Sequence, residues 1–111
     1  MLYQPPRKQI FLYLDVLDQQ NRQLVGHLND ISSQGLMLLC KKPLDLHSIH
    51  HLKIKLPDNP DFSHPYLDVD VEVRWTSQDI NPDLYKVGCL FLELEAESSA
   101  IIKQIGESLS F

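Results

Sequence analysis

Residues 29–36, NDISSQGL, concentrate polar and turn-forming side chains between two apolar segments. Asp30 and Ser32 are two residues apart, so they point to the same side of an extended chain. A carboxylate and a hydroxyl side by side can accept hydrogen bonds from backbone N–H groups in a turn, or from the N–H edge of a guanine base. Gly35 predicts a positive φ or the close approach of another group to the backbone. The segment is therefore a self-contained turn or part of a ligand site, and both interpretations stay open at this point.

The elements that position this segment follow from the alternation of apolar and polar residues, which predicts six strands. The predicted strands cover residues 10–16, 24–31, 36–40, 52–56, 67–75 and 84–92. The fifth has the clearest pattern, with its apolar set ending at Trp75 and directed into the core. Its other face is acidic and predicts contact with water; this face carries Asp68, Asp70 and Glu72.

The hydrophobic period changes near the C-terminus, where Ile101, Ile102, Ile105 and Leu109 fit one face of a helix over residues 95–109. Residues 1–9, which include two adjacent prolines, predict an N-terminal arm, and residues 10–111 a single domain. Six antiparallel strands and one helix predict a small β-barrel or a two-sheet sandwich closed by the helix.

Composition and charge narrow the classes of function. The formal net charge is -5 and the ten Lys and Arg residues are scattered, so no DNA or RNA partner is expected. No apolar run approaches the ~20 residues of a membrane span, and the N-terminus lacks a signal-peptide layout. We therefore expect no membrane insertion and a cytoplasmic location. Cys40 and Cys89 lie in apolar strands, which predicts buried thiols without a disulfide.

The sequence contains no motif for an enzyme, a metal or a cofactor. It has neither a phosphate-binding glycine loop nor a nucleophile elbow. His47, His50 and His51 are close in sequence but lack the ligand spacing of a zinc site, and they predict a polar connection into the fourth strand. A binding module is therefore favoured over a catalyst.

Taken together in their order along the chain, these segments resemble the PilZ domain family. Residues 30–35, DISSQG, match the family motif [D/N]-x-S-x-x-G at every fixed position. The surrounding segments LVGHLNDISSQGLMLL, VDVEVRW and YKVGCLFLEL are similar to family segments in the same order, and a helix follows. The resemblance implies a six-stranded antiparallel split β-barrel with a C-terminal helix, and cyclic di-GMP as the usual ligand.

The family's second motif, R-x-x-x-R, is expected just before the first strand, and this chain matches it incompletely. Arg7 has Tyr3 four places before it and Phe11 four places after it, so one arginine stands where two are expected. Lys8 adds charge, but an ammonium group does not reproduce the planar bidentate fork of arginine. The resemblance implies the following site: Arg7 and Lys8 on phosphate, Asp30 and Ser32 on guanine, and Gly35 permitting close approach.

Two hypotheses follow. The chain is an effector of cyclic di-GMP signalling whose nucleotide binding is weakened by the missing arginine. Alternatively, it is a nucleotide-independent adaptor that keeps the turn for structural reasons. A protein partner, in pilus, motility or biofilm machinery, is expected in either case.

Overall fold

The computed structural model describes residues 8–9 and 13–109 of the chain. This part contains seven strands and one helix. The elements are β1 Lys8–Gln9, β2 Asp15–Asp18, β3 Leu24–Ile31, β4 Gly35–Cys40, β5 Ile49–Lys55, β6 Tyr66–Gln78, β7 Tyr85–Phe91 and α1 Ala96–Leu109.

The six longer strands form a closed antiparallel barrel. They follow the order β3-β2-β5-β6-β7-β4, and β4 pairs back onto β3. The short β1 pairs with the end of β3 and lies outside the ring. Closure removes exposed sheet edges, where unpaired backbone groups would invite aggregation. The predicted six-stranded antiparallel barrel with one C-terminal helix is confirmed.

The barrel interior is apolar, and α1 completes it. The fully buried large side chains are Val16, Leu28, Ile31, Leu36, Leu38, Leu52, Ile54, Val71, Val73, Val87 and Ile105. Ile102, Ile105 and Leu109 of the helix belong to the same core cluster. Each large aliphatic side chain that leaves water contributes about 1.5–3 kcal/mol, so these three residues fix α1 against the barrel.

The predicted element bounds differ from the structure at several strand ends. β5 begins at Ile49, because Ile49, His50 and His51 pair with β6. The prediction of a polar connection is therefore wrong for His50 and His51. β2 extends to Asp18, where a turn was expected, since its end pairs with β5. Residues 10–12 of the first predicted strand lie outside the described residues.

The prediction that Trp75 continues the core face of its strand is also wrong. The register of β6 against β7 shifts between Val73 and Trp75, which marks a β-bulge. Val73 is fully buried, whereas Trp75 is 38% exposed and pairs with Gly88. A bulge inserts one residue into the alternation, so every later side chain moves to the other face. Trp75 therefore lies on the outside of the barrel.

Cys40 and Cys89 are both buried, and neither forms a disulfide. Burial raises the pKa of the Cys40 thiol to about 11, because the thiolate loses hydration. Cys40 is therefore a packing residue and a poor nucleophile.

We expect Cys40 in the folded protein to resist alkylation by iodoacetamide at about pH 8. The raised pKa lowers its thiolate fraction about 100-fold, and burial restricts access further. Peptide mass mapping after timed quenching measures the modified fraction, with the chain unfolded in guanidinium chloride as the reference. Equal labelling rates in the folded and unfolded protein would contradict this assignment.

Candidate functional site

The turn between β3 and β4 is held by the side chain of Ser32. The Ser32 hydroxyl accepts hydrogen bonds from the backbone N–H groups of Gln34 and Gly35, at 3.2 and 3.3 Å. The backbone N–H of Ser32 donates to the Gly35 carbonyl at 2.9 Å. Ser32 is only 8% exposed. Its oxygen has two lone pairs, and both are used within the turn.

Gly35 is required by the approach of β7. No described glycine has a positive φ, so of the two alternatives predicted for Gly35 the structure shows the close approach of another group. A Cβ atom there would lie 2.1 Å from the backbone carbonyl oxygen of Cys89. Phe91 also donates its backbone N–H to the Gln34 carbonyl at 2.8 Å. The close approach expected from the sequence is therefore made by the chain's own backbone.

Asp30 lies on the outer face of the barrel. Its neighbour Ile31 is only 1% exposed, and adjacent strand residues point to opposite faces. Asp30 pairs with Gln9 of β1 on one side and with Met37 of β4 on the other. Lys8 pairs with Ile31, next to Ser32. The structure thus brings the backbone of Lys8 beside the turn, while Arg7 lies outside the described residues.

The register extends from Asp30 across three further strands. Asp30 pairs with Met37, Met37 with Gly88, and Gly88 with Trp75. We call these four residues the outer row. Neighbouring strands are ~4.8 Å apart, so the path along the curved sheet from Asp30 to Trp75 is ~14 Å.

A family model described as the PilZ domain matches residues 6–107. The chain belongs to the PilZ domain family. Among curated proteins, no sequence matches it significantly.

Several solved structures have the same fold as this chain. The PilZ domain of YcgR from Escherichia coli, solved with c-di-GMP, superposes with a TM-score of 0.74 at 15% identity, covering 98% of this chain and 92% of that one. The Bacillus subtilis inhibitor of motility MotI/DgrA gives 0.73 at 20% identity, covering 96% of this chain and 50% of that one. K. pneumonia MrkH gives 0.74 at 17% identity, covering 98% and 50%. The chain therefore spans about half the length of MotI and MrkH, and identities this low establish the fold alone.

Trp75 adds an aromatic surface to the outer wall of this PilZ barrel. A Cβ atom on Gly88 would lie 2.1 Å from the indole atoms Cε2 and Nε1 of Trp75, so the ring rests on the Gly88 backbone. The indole is still 38% exposed. An exposed ring held against a glycine is suited to stacking with a planar base. The alternation of apolar and polar residues does not indicate the bulge that exposes Trp75. The pairing of an aromatic residue with a glycine on the neighbouring strand is nevertheless known in β-sheets.

Lys86 is a further candidate site residue, and no motif in the sequence marks it as one. It precedes Gly88 by two positions on β7 and so lies on the same outer face. Its ammonium nitrogen is 3.7 Å from an Asp79 carboxylate oxygen, and its side chain is 38% exposed. Lys86 therefore supplies a partly accessible positive charge next to Trp75.

The histidines of this PilZ domain are engaged with other side chains. In four of them a ring nitrogen lies close to a carboxylate oxygen: His27 to Asp15 at 3.1 Å, His47 to Glu72 at 3.6 Å, His51 to Asp70 at 2.6 Å and His64 to Glu97 at 3.0 Å. Within residues 8–9 and 13–109, no three His, Cys, Asp or Glu side chains are grouped so that they could hold a metal ion. In the same part of the chain, no helix is long and apolar enough to cross a membrane.

We expect Ser32→Ala to lower the free energy of unfolding by about 1–2 kcal/mol, because two backbone N–H groups of the turn lose their acceptor. The matched control is Ser33→Ala, an exposed neighbour in the same turn, for which a change within about 0.5 kcal/mol is expected. Urea unfolding followed by circular dichroism measures both. Equal effects of the two substitutions would contradict the structural role of the Ser32 hydroxyl.

Proposed function

We propose that this PilZ domain is an effector module that binds cyclic di-GMP on the outer row, beside the β3–β4 turn. The observation that carries the proposal is the pairing of Lys8–Gln9 with Asp30–Ile31. This pairing joins the basic N-terminal segment to the intact DISSQG motif. The ligand is inferred from the family, and from YcgR and MrkH, which were solved with c-di-GMP.

Each site residue has a distinct proposed role. Asp30 accepts hydrogen bonds from the N–H groups of a guanine edge, since an ionised carboxylate is an acceptor only. Arg7 and Lys8 bind phosphate oxygens. Ser32 and Gly35 hold the turn that presents Asp30, because the Ser32 oxygen and the space beside Gly35 are already used by the backbone.

Trp75 stacks with the second guanine in this proposal. Its ~14 Å separation from Asp30 along the sheet is compatible with one ligand that carries two bases. Lys86, on the same face, adds charge near the intervening phosphate. The proposal assigns no catalytic group, no metal and no resident cofactor, and it places the protein in the cytoplasm.

The incomplete arginine motif limits affinity. A charge-assisted hydrogen bond contributes about 1.5–3 kcal/mol, which corresponds to roughly tenfold to hundredfold in Kd. The net charge of -5 also opposes the approach of a phosphodiester ligand. We therefore propose that binding is weaker than in a domain with both arginines.

Restoring the second arginine tests this proposal. Tyr3→Arg recreates R-x-x-x-R with Arg7, and we expect it to tighten cyclic di-GMP binding roughly tenfold to hundredfold. Arg7→Ala is expected to weaken binding by a similar factor. Isothermal titration calorimetry gives both affinities, and quenching of Trp75, the one tryptophan of the chain, reports contact with the outer row.

The role of Asp30 requires its own matched control. Asp30→Asn should weaken binding roughly tenfold, because a carboxylate accepts two guanine N–H bonds more strongly than an amide does. Asp83→Asn removes the same charge from an exposed loop and should leave the affinity unchanged. Cyclic di-AMP, which lacks the guanine N–H edge, should bind poorly. Absence of heat at high micromolar cyclic di-GMP, in both the natural chain and Tyr3→Arg, would contradict the proposal.

The second candidate function is that of a nucleotide-independent adaptor. The contacts that the DISSQG motif makes within the chain favour it. Ser32 and Gly35 are both accounted for by contacts within the chain, so the turn needs no ligand to explain those two residues. In that case the barrel surface binds a protein partner in pilus, motility or biofilm machinery. Absence of cyclic di-GMP binding in the titrations described above would support this second function.

A further inference from the structure

A groove opens on the outside of β5 and the N-terminal half of β6, and none of the four outer-row residues lines it. Its volume is about 440 Å³, and the start of α1 and the preceding residues 93–95 form one wall. A smaller cavity of about 230 Å³ continues along α1 beneath the β5–β6 loop. The two cavities share His64, Glu97 and Ile101 in their linings. A groove of this size is within the range of ligand-binding pockets.

The floor of the groove is apolar. Leu94 and Ile101 are partly exposed and pack against the barrel core, with the nearly buried Leu67 beside them. In the adjoining cavity, Phe62 and Ala100 continue this surface. The groove therefore offers apolar contact area, which a cluster of surface carboxylates alone would not.

The walls are strongly acidic. Among the described residues that line the larger cavity, the carboxylates are Asp68, Asp70, Glu93, Glu95 and Glu97, and the basic side chains are Lys53 and His64. Lys53 is already bound to Asp68 at 2.8 Å, and His64 to Glu97 at 3.0 Å. Across the described residues, no ion pair involves Glu93 or Glu95. Acidic side chains at Glu95 and Glu97 are explained by the helix dipole, because they lie at the positive N-terminus of α1. Glu93 precedes the helix, so the dipole does not explain its acidic side chain.

The walls are also fixed in place before any partner arrives. The Gln19 side chain donates to the Leu52 carbonyl at 2.9 Å, and Leu92 donates its N–H to the Asp70 carbonyl at 2.9 Å. The His64–Glu97 pair ties the β5–β6 loop to α1. A preformed groove loses little conformational entropy on binding, which favours affinity.

We propose that this groove docks a lysine- or arginine-rich amphipathic segment of a partner protein. The apolar side of the segment covers Leu94 and Ile101, and its cations pair with Glu93 and Glu95. Charge complementarity selects this occupant: an acidic groove repels nucleic acids, nucleotides and anionic lipids. The groove and the outer row have no residue in common, so this inference does not depend on the nucleotide being bound.

The test uses the full chain and two fluorescein-labelled synthetic peptides of lysine and leucine. One peptide has amphipathic order, and the other has the same composition in scrambled order. By fluorescence anisotropy at near-physiological salt, we expect the amphipathic peptide to bind at least about fivefold more tightly, because only it matches the apolar floor. Glu93→Lys should weaken its binding about tenfold through like-charge contact. Asp83→Lys, which makes the same change of net charge in an exposed loop, should alter it less than about twofold.

Three outcomes would overturn the proposal. Equal weakening by Glu93→Lys and Asp83→Lys would mean that only net charge attracts the peptide. Equal binding of both peptides would mean that the apolar floor is not used. No binding of the amphipathic peptide would exclude this class of partner. Amide chemical-shift changes in the unsubstituted chain provide an independent check, since they should map to residues 66–70 and 93–101.

Discussion

The pairing of the end of β3 with two strands at once is the constraint on which the rest of the structure depends. Asp30 and Ile31 are bonded to β4 on one side and to β1 on the other. The first pairing closes the barrel, and the second holds the N-terminal segment next to the β3–β4 turn. Because Ile31 is buried in the core, the register also fixes Asp30 on the outer face. The closure of the core and the position of the candidate site therefore share one set of backbone hydrogen bonds.

Two glycines make this arrangement possible by allowing close approach. Gly35 leaves room for the carbonyl of Cys89, so β4 and β7 can meet behind the turn. Gly88, the residue before Cys89, leaves room on the outer face of β7 for the indole of Trp75. A Cβ atom at either position would collide with backbone or with a large ring. The motif glycine thus has a packing role that is independent of any ligand.

The barrel presents two surfaces of different chemistry, and β6 contributes to both. Trp75, near the C-terminal end of β6, belongs to the outer row with Asp30, where a planar, anionic ligand is proposed. Asp68 and Asp70, near its N-terminal start, line the acidic groove beside α1. The separation allows a nucleotide and a basic protein segment to bind without competing for the same side chains. A domain with a net negative charge can in this way have both an anion-binding site and a surface that repels anions. The condition is that its basic side chains are concentrated at the anion-binding site.

The sequence by itself determined the strand number of the barrel, the C-terminal helix and the identity of the motif at residues 30–35. Alternating apolar residues and a single change of period carry that information, because burial of one face imposes it locally. Only the tertiary structure decided that Ser32 and Gly35 are engaged by the backbone, that the Lys8 backbone lies beside the turn and that Trp75 faces outwards. These features depend on register between distant strands and on a bulge, which arise from pairing across the barrel and are absent from local pattern. The same limit applies to the groove, because residues as far apart in the sequence as Gln19 and Glu93 line it.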